Sequence, residues 1–179
     1  MARNTWIETL SVQGAGTAIT STASEGLLFN DVSISPGYMV PGRILNITMA
    51  GKVSNAVTTP GTMTFRVRWG GSGGTILVTS GALTQNIIVQ TDKTWFAQIS
   101  VQCITDGAAG TFLTWGHMQR GNCAAAVVAD MTPDLLPASG LAVVSSLDTT
   151  TVKLLSVTAQ SSVTTASIQG LGYKLASEN

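Results

Sequence analysis

Residues 63–83 read MTFRVRWGGSGGTILVTSGAL, and this stretch decides the fold. Met63, Phe65, Val67 and Trp69 alternate with Thr64, Arg66 and Arg68. A β-strand turns successive side chains to opposite faces, so the spacing predicts one apolar face and one polar, cationic face. Gly70-Gly71-Ser72-Gly73-Gly74 follows, made of residues that take positive φ without steric cost, as a tight reversal requires. Thr75 to Thr79 then resumes as a second β-branched run and breaks at Ser80-Gly81. The stretch is therefore predicted to be an antiparallel hairpin with one side on a core. A phosphate-cradling loop does not fit it. The GxxxxGK[ST] form is missing, and a strand rather than a helix N-terminus follows the glycines.

The same scheme extends in both directions. Over residues 44–55, Leu45, Ile47, Met49, Gly51 and Val53 share one face and Asn46, Thr48, Ala50 and Lys52 the other. Residues 94–104 place Trp95, Ala97, Ile99, Val101 and Cys103 in phase. In 111–119, Leu113, Trp115 and His117 lie opposite Phe112 and Met118. Further strands are predicted at 82–90, around Ile87-Ile88-Val89, and at 141–145, 150–159 and 164–175. Turns fall at Ser35-Pro36-Gly37, Val40-Pro41-Gly42, Asp92-Lys93 and Asp106-Gly107. Residues 123–131 carry mixed signals, and Pro133 and Pro137 restrict any helix there. They are taken as irregular, with a short strand at 125–128.

Strands recurring between turn signals, with no amphipathic helix, define an all-β protein. About eight to ten strands suit a jelly-roll-like antiparallel β-sandwich better than a seven-stranded immunoglobulin domain. The domain is assigned to residues 25–179. Residues 1–24 are read as an N-terminal arm or short strand followed by a flexible segment rich in Gly, Ala, Thr and Ser.

Composition narrows the function. The formal net charge is +0, and charged residues make up only 10% of the 179, against about 25% in an average soluble protein. No strong field draws the chain to nucleic acid or to anionic lipid. No segment approaches the roughly 18 uninterrupted apolar residues of a membrane span, and the start, Met1-Ala2-Arg3-Asn4-Thr5-Trp6, lacks the pattern of a signal peptide. A surface so poor in charge suits coverage by partner subunits, since uncharged groups cost little to desolvate.

Chemistry is thinly supplied. His117 is the single histidine, and no recognisable nucleophile and carboxylate surround it in sequence as a triad requires. One histidine, scattered aspartates and two distant cysteines, Cys103 and Cys123, do not make a metal site or a disulfide framework. Cys103 is expected to be a buried free thiol. No cofactor and no catalytic residue is assigned, and the chain is not expected to be an enzyme.

Four residues are candidates for an interface. Arg66 and Arg68, with Arg43 and Lys52 nearby, form a small cationic patch suited to acidic groups on a neighbouring subunit. Trp69 and Trp95 fall on core faces, which leaves Trp6 and Trp115 for contacts. An arm ending in Trp6 could anchor in a partner's pocket.

The leader Met1 to Trp6, the segment GTMTFRVRWGGSGGTILVTSGAL (residues 61–83) and the strand TWFAQISVQC (residues 94–103) together resemble tailed-bacteriophage head decoration or cement proteins and related jelly-roll virion modules. The resemblance implies a virion location after synthesis in a host cytoplasm, and a homo-oligomer, a trimer foremost. It also implies binding to a major capsid protein or another virion protein, without cofactor or catalysis. The expected function is a non-enzymatic structural protein that self-associates and stabilises a capsid. The alternative is a carbohydrate- or receptor-binding module of a phage tail or fibre, with Trp115, Asp106 and Asn122 at its site.

Overall fold

The structure, a computed structural model, describes residues 7–20, 25–56, 61–121 and 131–179. The opening hairpin forms as its pattern dictates. Met63, Phe65, Val67 and Trp69 are buried, Arg66 and Arg68 point outward, and Gly70 and Gly71 turn the chain at φ 98° and 91°.

Among the described residues thirteen strands follow in chain order: β1 (Ile7–Gln13), β2 (Gly26–Leu27), β3 (Val32–Ile34), β4 (Ile44–Asn55), β5 (Thr62–Trp69), β6 (Thr75–Thr79) and β7 (Leu83–Thr84). Then come β8 (Gln90–Thr105), β9 (Gly110–Gly121), β10 (Met131–Leu136), β11 (Ala142–Leu147), β12 (Lys153–Ser161) and β13 (Ala166–Glu178). Ten of them have five or more residues, and no helix occurs among the described residues. None is therefore long and apolar enough to cross a membrane.

A seven-stranded sheet runs β1-β13-β4-β8-β9, with β10 and β11 end to end on the outer side of β9. A six-stranded sheet centres on β12-β5-β6, with β2 and β3 on the far side of β12 and β7 beside β5. All pairings are antiparallel, and the fold is an antiparallel β-sandwich. The chain crosses between sheets from β4 to β5 and back from β12 to β13. Because β4 pairs with β13 and β5 with β12, an antiparallel ribbon winds over both layers, the jelly-roll-like part of the topology. Strands β8 to β11 complete the larger sheet as a meander.

One hydrophobic core lies between the sheets, and aromatic pairs span it. Phe65 of β5 meets Trp95 of β8 edge-on, with ring centroids 5.1 Å apart, and Trp69 of β5 meets Phe112 of β9 at the same distance. Such pairs add about 0.5–1.5 kcal/mol beyond their buried area. Trp95 fits because its cross-strand neighbour is Gly51. A Cβ there would stand 2.6 Å from the indole ring.

Several sequence expectations are corrected. Ile87-Ile88-Val89 is not a strand but an exposed loop between β7 and β8. Asp92-Lys93 is not a turn, because β8 runs through it. Asp92 absorbs an irregularity at φ 50°, a conformation that aspartate tolerates better than most residues, while its backbone N–H donates to Ser54 Oγ at 2.9 Å. A strand was missed at β10, which contains Pro133. Proline lacks a ladder donor, yet among the described residues β10 pairs only with β9 and is an edge, where that loss is tolerated. Residues 7–13 form the outermost strand of the larger sheet, and Ile19 is buried and bridged to Ile168. From Ile7 to Thr20 the described chain thus lies on the sandwich. The short strand expected at 125–128 lies outside the described residues.

Candidate functional site

Alternation gives the larger sheet an outer face of unusual composition. Cross-strand register aligns Ile44, Gln102, Leu113 and Val143 in one row, and Asn46, Ser100 and Trp115 in the next. Thr48, Gln98, His117 and Leu135 form a third row, followed by Ala50, Phe96 and Gln119. Not one of these side chains is Lys, Arg, Asp or Glu. Among the described residues, charge returns at the borders of this block: the first and third rows continue onto β13 as Glu178 and Lys174, and Lys52 of β4 with Asp92 of β8 lies beyond the fourth row. The few charges of the chain are thus kept off the centre of this face.

Trp115 stands at the boundary between two textures. Toward β4 and β13 lies a polar groove of about 390 Å³, lined by Asn46, Thr48, Gln98 and Ser100 and closed by Lys174 and Glu178. Ser100 Oγ donates to Asn46 Oδ1 at 2.8 Å in its floor. Toward the β10–β11 edge lies an apolar groove of about 300 Å³, lined by Trp115, Gly116, His117, Leu135, Leu136, Gly140 and Leu141. Leu135, Leu141 and Val143 beside it are 72%, 70% and 62% exposed. Scattered exposed leucines are ordinary, but apolar side chains gathered round a half-buried tryptophan form a patch of the kind that marks contact sites.

The other candidates are placed elsewhere. Arg66 and Arg68 lie on the outer face of the smaller sheet, on the opposite side of the sandwich from Trp115. Their acidic partner belongs to their own chain. Glu25 takes two hydrogen bonds from Arg68, both 2.8 Å, and also pairs with Arg66. Arg43 and Lys52 are likewise engaged within the chain. Arg43 stacks 4.4 Å from the Tyr38 ring centroid and donates to Asn179 Oδ1 at 2.7 Å, and Lys52 lies 3.1 Å from Asp92. The expected patch of four cations awaiting a neighbour is instead a set of internal pairs.

Trp6, Asn122 and Cys123 lie outside the described residues. Asp106 sits in the turn before β9, a strand that begins at Gly110, five residues and roughly 17 Å from Trp115. His117 faces outward between Gln98 and Leu135, neither of which can act as an acid partner. Among the described residues no group of three or more His, Cys, Asp or Glu could hold a metal ion. Cys103 is free and buried, and its thiol donates to Thr105 O at 3.4 Å.

Sequence reasoning missed Arg120. It points inward from β9, almost fully buried, with Nε donating to Asp134 Oδ2 at 2.8 Å and Nη1 to Thr84 O at 3.2 Å. Its signal was available, since it continues the inward phase of Phe112, Thr114 and Met118, but the strand expected over 111–119 stops one residue short of it.

No protein-family model, curated protein or solved structure matches this chain.

Proposed function

We propose that the protein is a non-enzymatic structural component that self-associates and binds a larger protein shell, in the manner of a phage capsid decoration protein. The observation that carries this is the outer face of the larger sheet. Across β4, β8, β9 and the β10–β11 edge, four successive cross-strand rows hold no formal charge, and an apolar rim of Leu135, Leu141 and Val143 borders Trp115. Covering such a face costs little in ion desolvation and removes apolar area from water at about 25 cal/mol per Å². A stable attachment needs about 1,600 Å² in total, and the face extends over four strands. The virion setting rests on the sequence resemblance.

Sedimentation velocity and light scattering from micromolar to millimolar concentration test the self-association, with a defined oligomer expected. A monomer throughout that range removes this function.

A second reading, glycan binding, is favoured by the polar groove itself. Amide and hydroxyl groups of Asn46, Gln98 and Ser100 beside Trp115 offer hydrogen bonds and an aromatic face to a neutral sugar. A glycan array with wild-type protein and Trp115→Ala decides it. Binding lost in the variant supports the reading, and silence across the array rejects it.

A further inference from the structure

The loop between β7 and β8 exposes three apolar side chains in succession: Ile87, Ile88 and Val89, at 55%, 57% and 50%. Such a run is a liability in water unless something covers it. It is also held in shape. Ile88 N–H donates to Asn86 Oδ1 at 3.0 Å, Gln90 Nε2 donates to Ile88 O at 3.4 Å, and Asn55 Nδ2 donates to Asn86 O. Asn55, Asn86 and Gln90 are all buried. The sequence thus places three buried amide side chains beneath the loop and leaves its apolar tip outside. A knob fixed in advance loses little conformational entropy when it docks.

The same chain carries an apolar groove, the one between Trp115, Leu135 and Leu141. Ser100, which pairs with Trp115, is ten residues along β8 from Gln90, so knob and groove are roughly 30 Å apart and cannot meet within one molecule. Neither element carries a formal charge, so their union buries no ion. We propose that copies of this chain associate head to tail, with Ile87-Ile88-Val89 of one copy seated in the Trp115–Leu135–Leu141 groove of the next. This rests on the self-association proposed above and specifies its contact. A contact between two different surfaces of one chain is heterologous, so it closes into a ring when the rotation allows and otherwise propagates.

The test uses Ile88→Asp, which spoils the knob, and Leu135→Asp, which spoils the groove. Both side chains are largely exposed, so the fold is expected to survive, as far-ultraviolet circular dichroism will show. Each variant alone should sediment as a monomer. Mixed, they should form a one-to-one dimer, because the intact knob of Leu135→Asp enters the intact groove of Ile88→Asp, and the chain of contacts ends there. If wild-type protein is an oligomer that both variants preserve, the contact is wrong while self-association stands. If both variants are monomers and the mixture stays monomeric, the interface is not head to tail and the proposal fails. A second pair, Val89→Asp and Leu141→Asp, repeats the experiment should either first variant misfold. A monomeric wild type removes the underlying self-association itself.

Discussion

Glu25 and Arg68 form a forked ion pair across the smaller sheet, Nε to Oε2 and Nη2 to Oε1, each at 2.8 Å. Thr158, on the intervening β12, donates its hydroxyl to the same carboxylate at 2.8 Å and is fully buried beneath it. Strand β2 meets β12 at only two positions, so its ladder alone holds it weakly. The pair supplies what the ladder lacks.

Glu25→Gln keeps the shape of the side chain and removes its charge, leaving Arg66 and Arg68 beside each other without their counter-ion. A charged hydrogen-bond network of this partial burial is expected to contribute about 2 kcal/mol. Urea unfolding should show a lower midpoint with an unchanged slope. A midpoint equal to that of wild type would mean that β2 is held by packing alone.

Gly51 and Trp95 give a second expectation. A Cβ on residue 51 would stand 2.0 Å from Gln169 O, as well as against the indole ring. Gly51→Ala should therefore cost about 1–3 kcal/mol through forced displacement of β13 and Trp95. Gly172→Ala is the control. Nothing lies within 4 Å of a Cβ at that position, so stability should change by less than about 0.5 kcal/mol. Equal effects at the two sites would show that β13 yields more easily than a packed interior strand should.

The contrast between those glycines shows what was legible in the sequence. Alternation at residues 44–53, 63–69 and 94–103 gave strand, face and core together, because a two-residue period leaves no other solution when one side is apolar. The exposed run at Ile87-Ile88-Val89 misled through composition rather than period. β-branched residues signal a strand, and nothing local reveals that Asn55, Asn86 and Gln90 clamp the loop instead. Strand β10 was hidden by Pro133, whose missing donor matters only when both sides of a strand are paired. Trp115 is a contact candidate in the sequence only by elimination, because Trp69 and Trp95 fall on core faces. Its companions Leu135 and Leu141 became visible only once β10 and β11 were placed beside β9. Glu25, far from Arg66 and Arg68 in sequence, carried no signal of its own.

Arg120 and Asp134 tie β10 to β9 and, through Thr84 O, to the smaller sheet. Asp134→Ala leaves a buried guanidinium with a carbonyl as its remaining assigned partner, and the expected loss is about 3 kcal/mol. The double variant Arg120→Met with Asp134→Leu removes both charges together, and should recover most of that loss. Denaturant midpoints for wild type, Arg120→Met, Asp134→Leu and the double variant, the four corners of the cycle, give the coupling directly. Simple additivity of the two single changes would show that the pair is not a unit.

Cys103 supplies the pH dependence. Burial, with a smaller contribution from the Asp106 charge, pushes its thiol up from the ordinary 9.0 to about 11. The folded chain therefore holds the proton more tightly than the unfolded chain. The stability this provides is complete below about pH 9 and is lost as the pH rises through about 11. Over that interval one such group contributes a decline of about 2 kcal/mol, which Cys103→Ala should lack. Burial also pushes the hydroxyl of Tyr173 upward, but that group is common to both proteins and cancels in the difference. In a Cys123→Ser background, a thiol-specific reagent should leave Cys103 unmodified at pH 8 until denaturant is added. Rapid modification of the folded protein, or parallel alkaline stability curves for wild type and Cys103→Ala, would show that the thiol reaches solvent and that the strand end at Thr105 opens.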